Sequence, residues 1–237
     1  MKECSKSISR RLSQPNFLRK YFSGHGIDIG GKPDPLSLYT ELFPMLNSVK
    51  TWDLEDGDAQ YLESVNDNTL DFVHSSHCLE HLVDPLTSLK NWIRVVKPNG
   101  HIVFTVPDED MYEQGVFPST FNLDHKWTFT VFKTKSWSNK SINLLELLAK
   151  LDDTVSIEKI EVLNSTFRSL PRYDQTLTPV GECGIEVVLK KISNEEEETP
   201  ALTEEMTIHL NQYKDDISSM KNANNSLPPF KNTKPIK

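Results

Sequence analysis

Residues 74–85 read HSSHCLEHLVDP, with three histidines, a cysteine and a glutamate inside eight residues. His77, Glu80 and His81 spell H-x-x-E-H, the order in which one group of zinc peptidases presents its ligands and base. Such a site needs both histidines on one face of a sustained helix and a third ligand elsewhere. Pro85 stands four residues after His81. In a continuing helix it would remove the hydrogen bond to the His81 carbonyl and clash with it, at about 3 kcal/mol. Asp84-Pro85 instead reads as the N-cap and first position of a new helix. Residues 77–82 are therefore expected to form a loop or single turn, with Glu80 and His81 fixing it through hydrogen bonds and no metal bound. His74, inside the preceding strand, is expected to be a packed neutral imidazole. A zinc hydrolase using His77, Glu80 and His81 is the alternative.

The elements around this stretch alternate between the two periodicities. GIDIG, VKTWD, LDFVHSS and HIVFTVP are short apolar runs suited to strands, and LSLYTELFPML is helix-like until Pro44 shortens it. DPLTSLKNWIRVVKPNG is the clearest helix, with Leu86, Leu89, Ile93 and Val96 as its apolar stripe and Pro98 as its stop. A helix is expected near SINLLELLAKL, then strands at VSIEKIEVL and GIEVVLKK with no helix between them. This pattern predicts an α/β fold: a mostly parallel sheet with helices on both faces and an antiparallel edge pair at the C-terminal end. Ligands of such sheets bind beyond the carboxyl ends of the strands, here residues 28–32, 53–58, 74–80 and 107–112.

The segments at those ends are GIDIGG, WDLEDGDAQ, LDFVHSSHCLEHLVDP and NWIRVVKPNGHIVFTVPDED. Together they resemble the Rossmann-like class I S-adenosylmethionine-dependent methyltransferases, and LEHLVDP with RVVKPNG is similar to the small bacterial-type methyltransferase domains. The resemblance covers about residues 24–110, and reaches about 192 by topology. It implies S-adenosylmethionine as cofactor and S-adenosylhomocysteine as product. Gly30 and Gly31 then allow close backbone approach to the methionine moiety, and Asp28 faces its ammonium group. Asp53 is placed for the ribose diol, with Leu54 beside it, and Asp58 with the Ala59 backbone for the adenine. Ser75, Ser76 and His77 border the methionine portion and the transferred methyl. Only 30 residues separate Asp28 from Asp58, so one helix and one strand are expected to be trimmed. NAD chemistry is disfavoured because GIDIGG lacks the third glycine of the dinucleotide fingerprint.

The segment PDEDMYEQGVFPSTFNLDHKWTF is too long and decorated for a plain connector. It starts where an acceptor must meet the methyl group. His125 is the candidate base, since its ordinary pKa lies near neutrality, with Asp108 or Tyr112 orienting the acceptor. The expected activity is methyl transfer to an O or N atom of a small polar acceptor such as a sugar or amine. A catalytically inactive module of the same fold is a further alternative.

Charge and composition limit the partners. The net charge is −8 over 237 residues, with +5 in residues 1–22 and −3 in 193–237, which leaves −10 for the body. An acidic body disfavours a nucleic-acid surface, although the basic arm is free to touch an anionic partner. No apolar run is long enough for a membrane span, and the N-terminus lacks the apolar core of a secretory signal. Three scattered cysteines without C-x-x-C predict reduced thiols and a cytoplasmic protein. The expected organisation is a basic arm or helix at 1–23 that packs through Phe17, Leu18, Tyr21 and Phe22, and a methyltransferase domain at 24–192 with an acceptor-side lid at 107–140. An acidic tail follows at 193–237, largely unstructured, with a helix at 203–220. Monomer and homodimer both remain open.

Overall fold

The computed structural model describes residues 2–168 and 174–193, so all but the first residue of the tail expected at 193–237, with its helix, lies outside the described residues. Two helices open the chain, α1 (Glu3–Leu12) and α2 (Pro15–Tyr21). Strands β1 (Gly24–Ile29), β2 (Leu46–Trp52) and β3 (Leu70–Ser76) follow, then helix α3 (Pro85–Val95) and strand β4 (Val96–Pro107). Short strands β5 (Thr128–Thr130) and β6 (Ser141–Asn143) pair in parallel, and helix α4 (Leu144–Leu148), β7 (Val155–Leu163) and β8 (Gly184–Lys191) complete the domain.

The main sheet has six strands in the order β2-β1-β3-β4-β8-β7. β1 to β4 pair in parallel, whereas β8 is antiparallel to both neighbours, as the helix-free link between the last two strands predicts. The trimming is also present. β1 and β2 are joined by a 3-10 stretch, Leu36–Leu42, broken at Tyr39, in place of a full helix. Between β2 and β3 there is one 3-10 turn, Leu54–Asp56, and β2 becomes the sheet edge.

Side chains alternate across the sheet with the strand period. Ile27, Ile29, Val73, Ile102, Phe104, Ile185 and Val187 face one core, shared with α3 and α4. Phe72, Val103 and Val188 face the other, where Cys4, Leu18, Phe22 and Phe43 cover them. Burying each large apolar side chain contributes about 1.5–3 kcal/mol. The α3 stripe needs two amendments: Val96 belongs to β4, and Trp92, fully buried, carries the contact instead. Asp84 caps α3 as expected, accepting from the Leu86 and Thr87 amides at 3.0 and 3.2 Å.

The basic residues of α1 correct one expectation. Arg10 and Arg11 do not wait for an anionic partner; they turn inward onto Glu182 and Glu186. A row of cations on an amphipathic helix reads as solvated surface, and only the facing carboxylates of Glu186 in β8 and Glu182 just before it make burial affordable. Among the described residues no helix is long and apolar enough to cross a membrane.

Candidate functional site

The chain leaves β1 through Gly30 at φ +69°, where a Cβ would stand 2.7 Å from that of Cys78. A Cβ on Gly31 would come within 2.4 Å of Asp28 Oδ2. Both positions therefore require glycine, and the backbone can lie close to whatever fills the space above it. Asp28 accepts the Leu36 amide at 2.7 Å through Oδ2, and its Oδ1 lies 2.7 Å from His74 Nδ1. Each oxygen has one protein partner, so Asp28 pins the loop that follows β1, and each keeps a second lone pair at the cavity edge.

At the end of β2, Asp53 caps the 3-10 turn. Its Oδ1 accepts the Leu54 amide at 2.8 Å and its Oδ2 the Lys32 amide at 3.0 Å, which ties the two strand-end loops together. Each oxygen keeps a second lone pair for a hydroxyl donor. Leu54 is 92% exposed beside it. Asp58 accepts the Gln60 amide at 2.8 Å, and the Ala59 carbonyl accepts the Trp92 indole N–H at 2.9 Å. Gln60 in turn accepts the Asp84 amide at 2.8 Å, so this loop is anchored to the start of α3.

These ends enclose a cavity of about 740 Å³, a size suited to a nucleoside-sized ligand. Asp28, Gly30, Gly31, Asp53, Leu54, Asp58, Ala59, Ser76 and His77 border it. Ser75 does not: it is buried and donates to the Ile29 carbonyl at 3.1 Å, because alternation along β3 turns it into the sheet. His77 has φ +54°, an uncommon value for a non-glycine residue at the edge of a site. Its ring lies 3.7 Å from Glu3 and 3.5 Å from Glu80, and those carboxylates outweigh burial, raising its pKa above the ordinary imidazole value.

Glu3 and Cys4 of α1 also border the cavity, as do His81, Asn122, Asp124 and Lys126. No local signal marks the first two, since α1 reaches the site only through long-range packing. The acceptor-side candidates are a correction. His125, Asp108 and Tyr112 do not line the cavity. Asp124 and Lys126 are exposed and His125 between them is buried, because the chain turns at 122–125 and the imidazole faces inward onto Glu113. Asp108 caps the π-helical turn Glu109–Glu113, accepting the Asp110 and Met111 amides at 3.0 and 3.1 Å, and burial pushes its pKa up to about 6. Tyr112 is fully buried between His77, His125 and Phe121, with its phenol pKa raised by that burial.

The H-x-x-E-H stretch forms one 3-10 turn, Leu79–His81, ended before Asp84, so the helical peptidase arrangement does not form. Glu80 and His81 tie this turn to the 122–126 segment, His81 through its Nδ1 3.0 Å from Asp124 Oδ2 and Glu80 through its backbone. The Glu80 backbone carbonyl accepts the Lys126 amide at 2.9 Å, but neither carboxylate oxygen has a hydrogen-bond partner among the described residues. Burial would raise its pKa, yet His77, His81 and His125 hold it below the ordinary glutamate value.

Residues 14–150 match the methyltransferase domain family. This is more than half of the chain. It belongs to the methyltransferase domain family. The methyltransferase fold is also seen in a candidate methyltransferase from Bacillus halodurans, at 12% identity over 77% of this chain and 99% of that one, with a TM-score of 0.51. A SAM-dependent methyltransferase from Archaeoglobus fulgidus is similar at 19% identity, over 81% of this chain and 95% of that one, with a TM-score of 0.49. None of the curated proteins matches the sequence.

Proposed function

We propose that this methyltransferase domain takes S-adenosylmethionine as donor and methylates an O or N atom of a small polar acceptor. The observation that carries the reading is the cavity at the strand ends, with the Gly30-Gly31 backbone on one side and the Asp53 carboxylate on another. The residues present fit the donor. The bare backbone of Gly30 and Gly31 admits the methionine portion, Asp53 accepts from the ribose hydroxyls, and Leu54 offers an apolar face to the adenine. Asp58 accepts from the exocyclic amine. Ser76 and His77 border the transferred methyl, and Glu3 of α1 brings negative charge to the same cavity.

When bound, the donor supplies a methyl group on a sulfonium, an already activated electrophile. The protein's task is then chiefly to hold the acceptor in line and keep water out. Asn122, Asp124, Lys126 and His81 form the acceptor side, a mixed polar wall suited to a small hydroxylated or amino compound. The three cysteines are free and buried, which supports a reducing compartment and hence a cytoplasmic location.

Calorimetric titration of S-adenosylhomocysteine into the full chain tests the donor. Micromolar binding that Asp53→Ala weakens at least tenfold is expected. A folded wild-type protein that gives neither heat nor a thermal shift would overturn the reading.

A further inference from the structure

Glu80 is fully buried on the turn after β3, and a buried carboxylate is costly to keep without partners. His81 Nε2 lies 3.9 Å from Glu80 Oε1 and His125 Nε2 lies 3.8 Å from the same oxygen. Both separations are too long for hydrogen bonds. His125 Nε2, like both Glu80 oxygens, has no hydrogen-bond partner among the described residues. One ligand atom from each of Glu80, His81 and His125 lies within 4.8 Å of the others.

We propose that these three residues bind a divalent transition-metal ion, with zinc the best match to the donor set. Ligand atoms at about 2.0–2.2 Å from a tetrahedral zinc stand roughly 3.3–3.5 Å apart. The two His–Glu separations need to close by about half an ångström, and the separation between the two imidazoles, which is within 4.8 Å, by up to about 1.4 Å.

The second set of contacts points the same way. His125 Nδ1 lies 2.6 Å from Glu113 Oε1, and His81 Nδ1 lies 3.0 Å from Asp124 Oδ2. A carboxylate on Nδ1 holds the ring proton there and leaves the Nε2 lone pair for a metal, the usual support of a ligating histidine. Both imidazoles carry this support, and both turn their other nitrogen toward one carboxylate that accepts no hydrogen bond from the described residues, His77 Nδ1 standing 3.5 Å from the same oxygen. Two imidazoles and one carboxylate suit zinc and its transition-metal neighbours, whereas magnesium and calcium require mostly oxygen ligands.

The ion would join two segments that already meet through the Lys126 amide and the Glu80 carbonyl. His81 borders the cavity, which gives the ion a route in and an open position toward the acceptor side. The site differs from the H-x-x-E-H reading, because His125 replaces His77 as the second imidazole. It does not depend on the donor assignment.

The test uses the full chain stripped with a chelator, then titrated with zinc against a chromophoric competitor while thermal stability is followed. One equivalent should bind and raise the melting temperature, and magnesium should do neither. His81→Ala, Glu80→Gln and His125→Ala should each weaken zinc at least 100-fold, and Glu113→Gln about 10–100-fold. His25→Ala, on an exposed histidine, should bind as the wild type does. His81 is partly exposed, so its variant carries the test if the buried substitutions fail to fold. The proposal is overturned if the folded wild type takes up no zinc at micromolar concentration. It is equally overturned if one equivalent still binds with unchanged affinity to His81→Ala. S-adenosylhomocysteine titrated into the same samples reads the donor cavity separately, so failure at one site is not mistaken for failure at the other.

Discussion

Arg11 of α1 lies 2.5 Å from Glu186 of β8, and both side chains are almost completely sealed from solvent. Arg10 and Lys159 each approach the same carboxylate at 3.0 Å. This cluster holds the N-terminal helix on the sheet, and with it the Glu3 and Cys4 side of the cavity.

Removing the charge at Glu186 strands buried cations. Glu186→Gln should cost about 3–5 kcal/mol, which is roughly 6–20 °C in melting temperature for a domain of this size. Burial opposes the glutamate's charge, but Arg11 and Arg10, with Lys159, overcome it and hold its pKa at about 2. The stabilisation is therefore complete above the ordinary value of 4.5 and is lost as pH falls toward about 2. The gap between wild type and variant in denaturant melts should narrow steadily from about pH 4.5 downward and close only below about pH 2. Equal stability at pH 7 would refute the role given to this cluster.

Asp108 carries the opposite sign. Its pKa is raised to about 6 by burial, so the folded state holds a proton that the unfolded chain releases from about 3.8 upward. Its contribution to stability falls as pH rises through that window, by on the order of 2–3 kcal/mol. Asn keeps an acceptor for the Asp110 and Met111 amides, so Asp108→Asn should flatten this part of the profile. Parallel pH profiles for the two proteins between pH 4 and 7 would contradict the assignment.

Gly31→Ala should damage the cavity without adding or removing a charge. The new Cβ meets Asp28 Oδ2 at 2.4 Å and must displace the carboxylate that holds Leu36. S-adenosylhomocysteine affinity should fall at least tenfold, with a smaller loss in melting temperature. Unaltered affinity in titration would show that the loop can yield freely.

Trp92→Phe leaves the Ala59 carbonyl without its indole donor. A cost of about 1–3 kcal/mol is expected, together with weaker donor binding as the 57–60 loop loosens. A variant that is destabilised yet binds S-adenosylhomocysteine as tightly as wild type would separate α3 from the site.

Cys4, Cys78 and Cys183 are all buried, and burial raises each thiol pKa well above its ordinary value. In native buffer none should react with a thiol-specific disulfide reagent on the timescale of minutes, and all three should react in denaturant. Rapid modification of one thiol in the folded protein would show that its surroundings open.

The sequence alone was enough for whatever depends on neighbours a few residues apart. The Asp84-Pro85 start of α3, the interruption at Pro44, the single turn at 79–81 and the strand runs are products of caps, ring constraints and side-chain periodicity. The motifs at the strand ends also lie where the order of strands and helices places them, so Gly30, Gly31, Asp53 and Asp58 meet at one cavity.

Tertiary packing decided the rest. Arg10 and Arg11 read as surface charge until Glu186 faces them across the core. His125 looks like an accessible base until the path of residues 108–127 turns it inward and leaves Asp124 and Lys126 on the wall. Asp28 reads as a ligand residue alone, and only packing shows that it also holds His74 and the Leu36 amide. Glu80 meets His125 only because two segments far apart in sequence cross beneath the cavity. Local propensity acts over about one helical turn, whereas partners for buried charge are chosen by which distant surfaces close against each other.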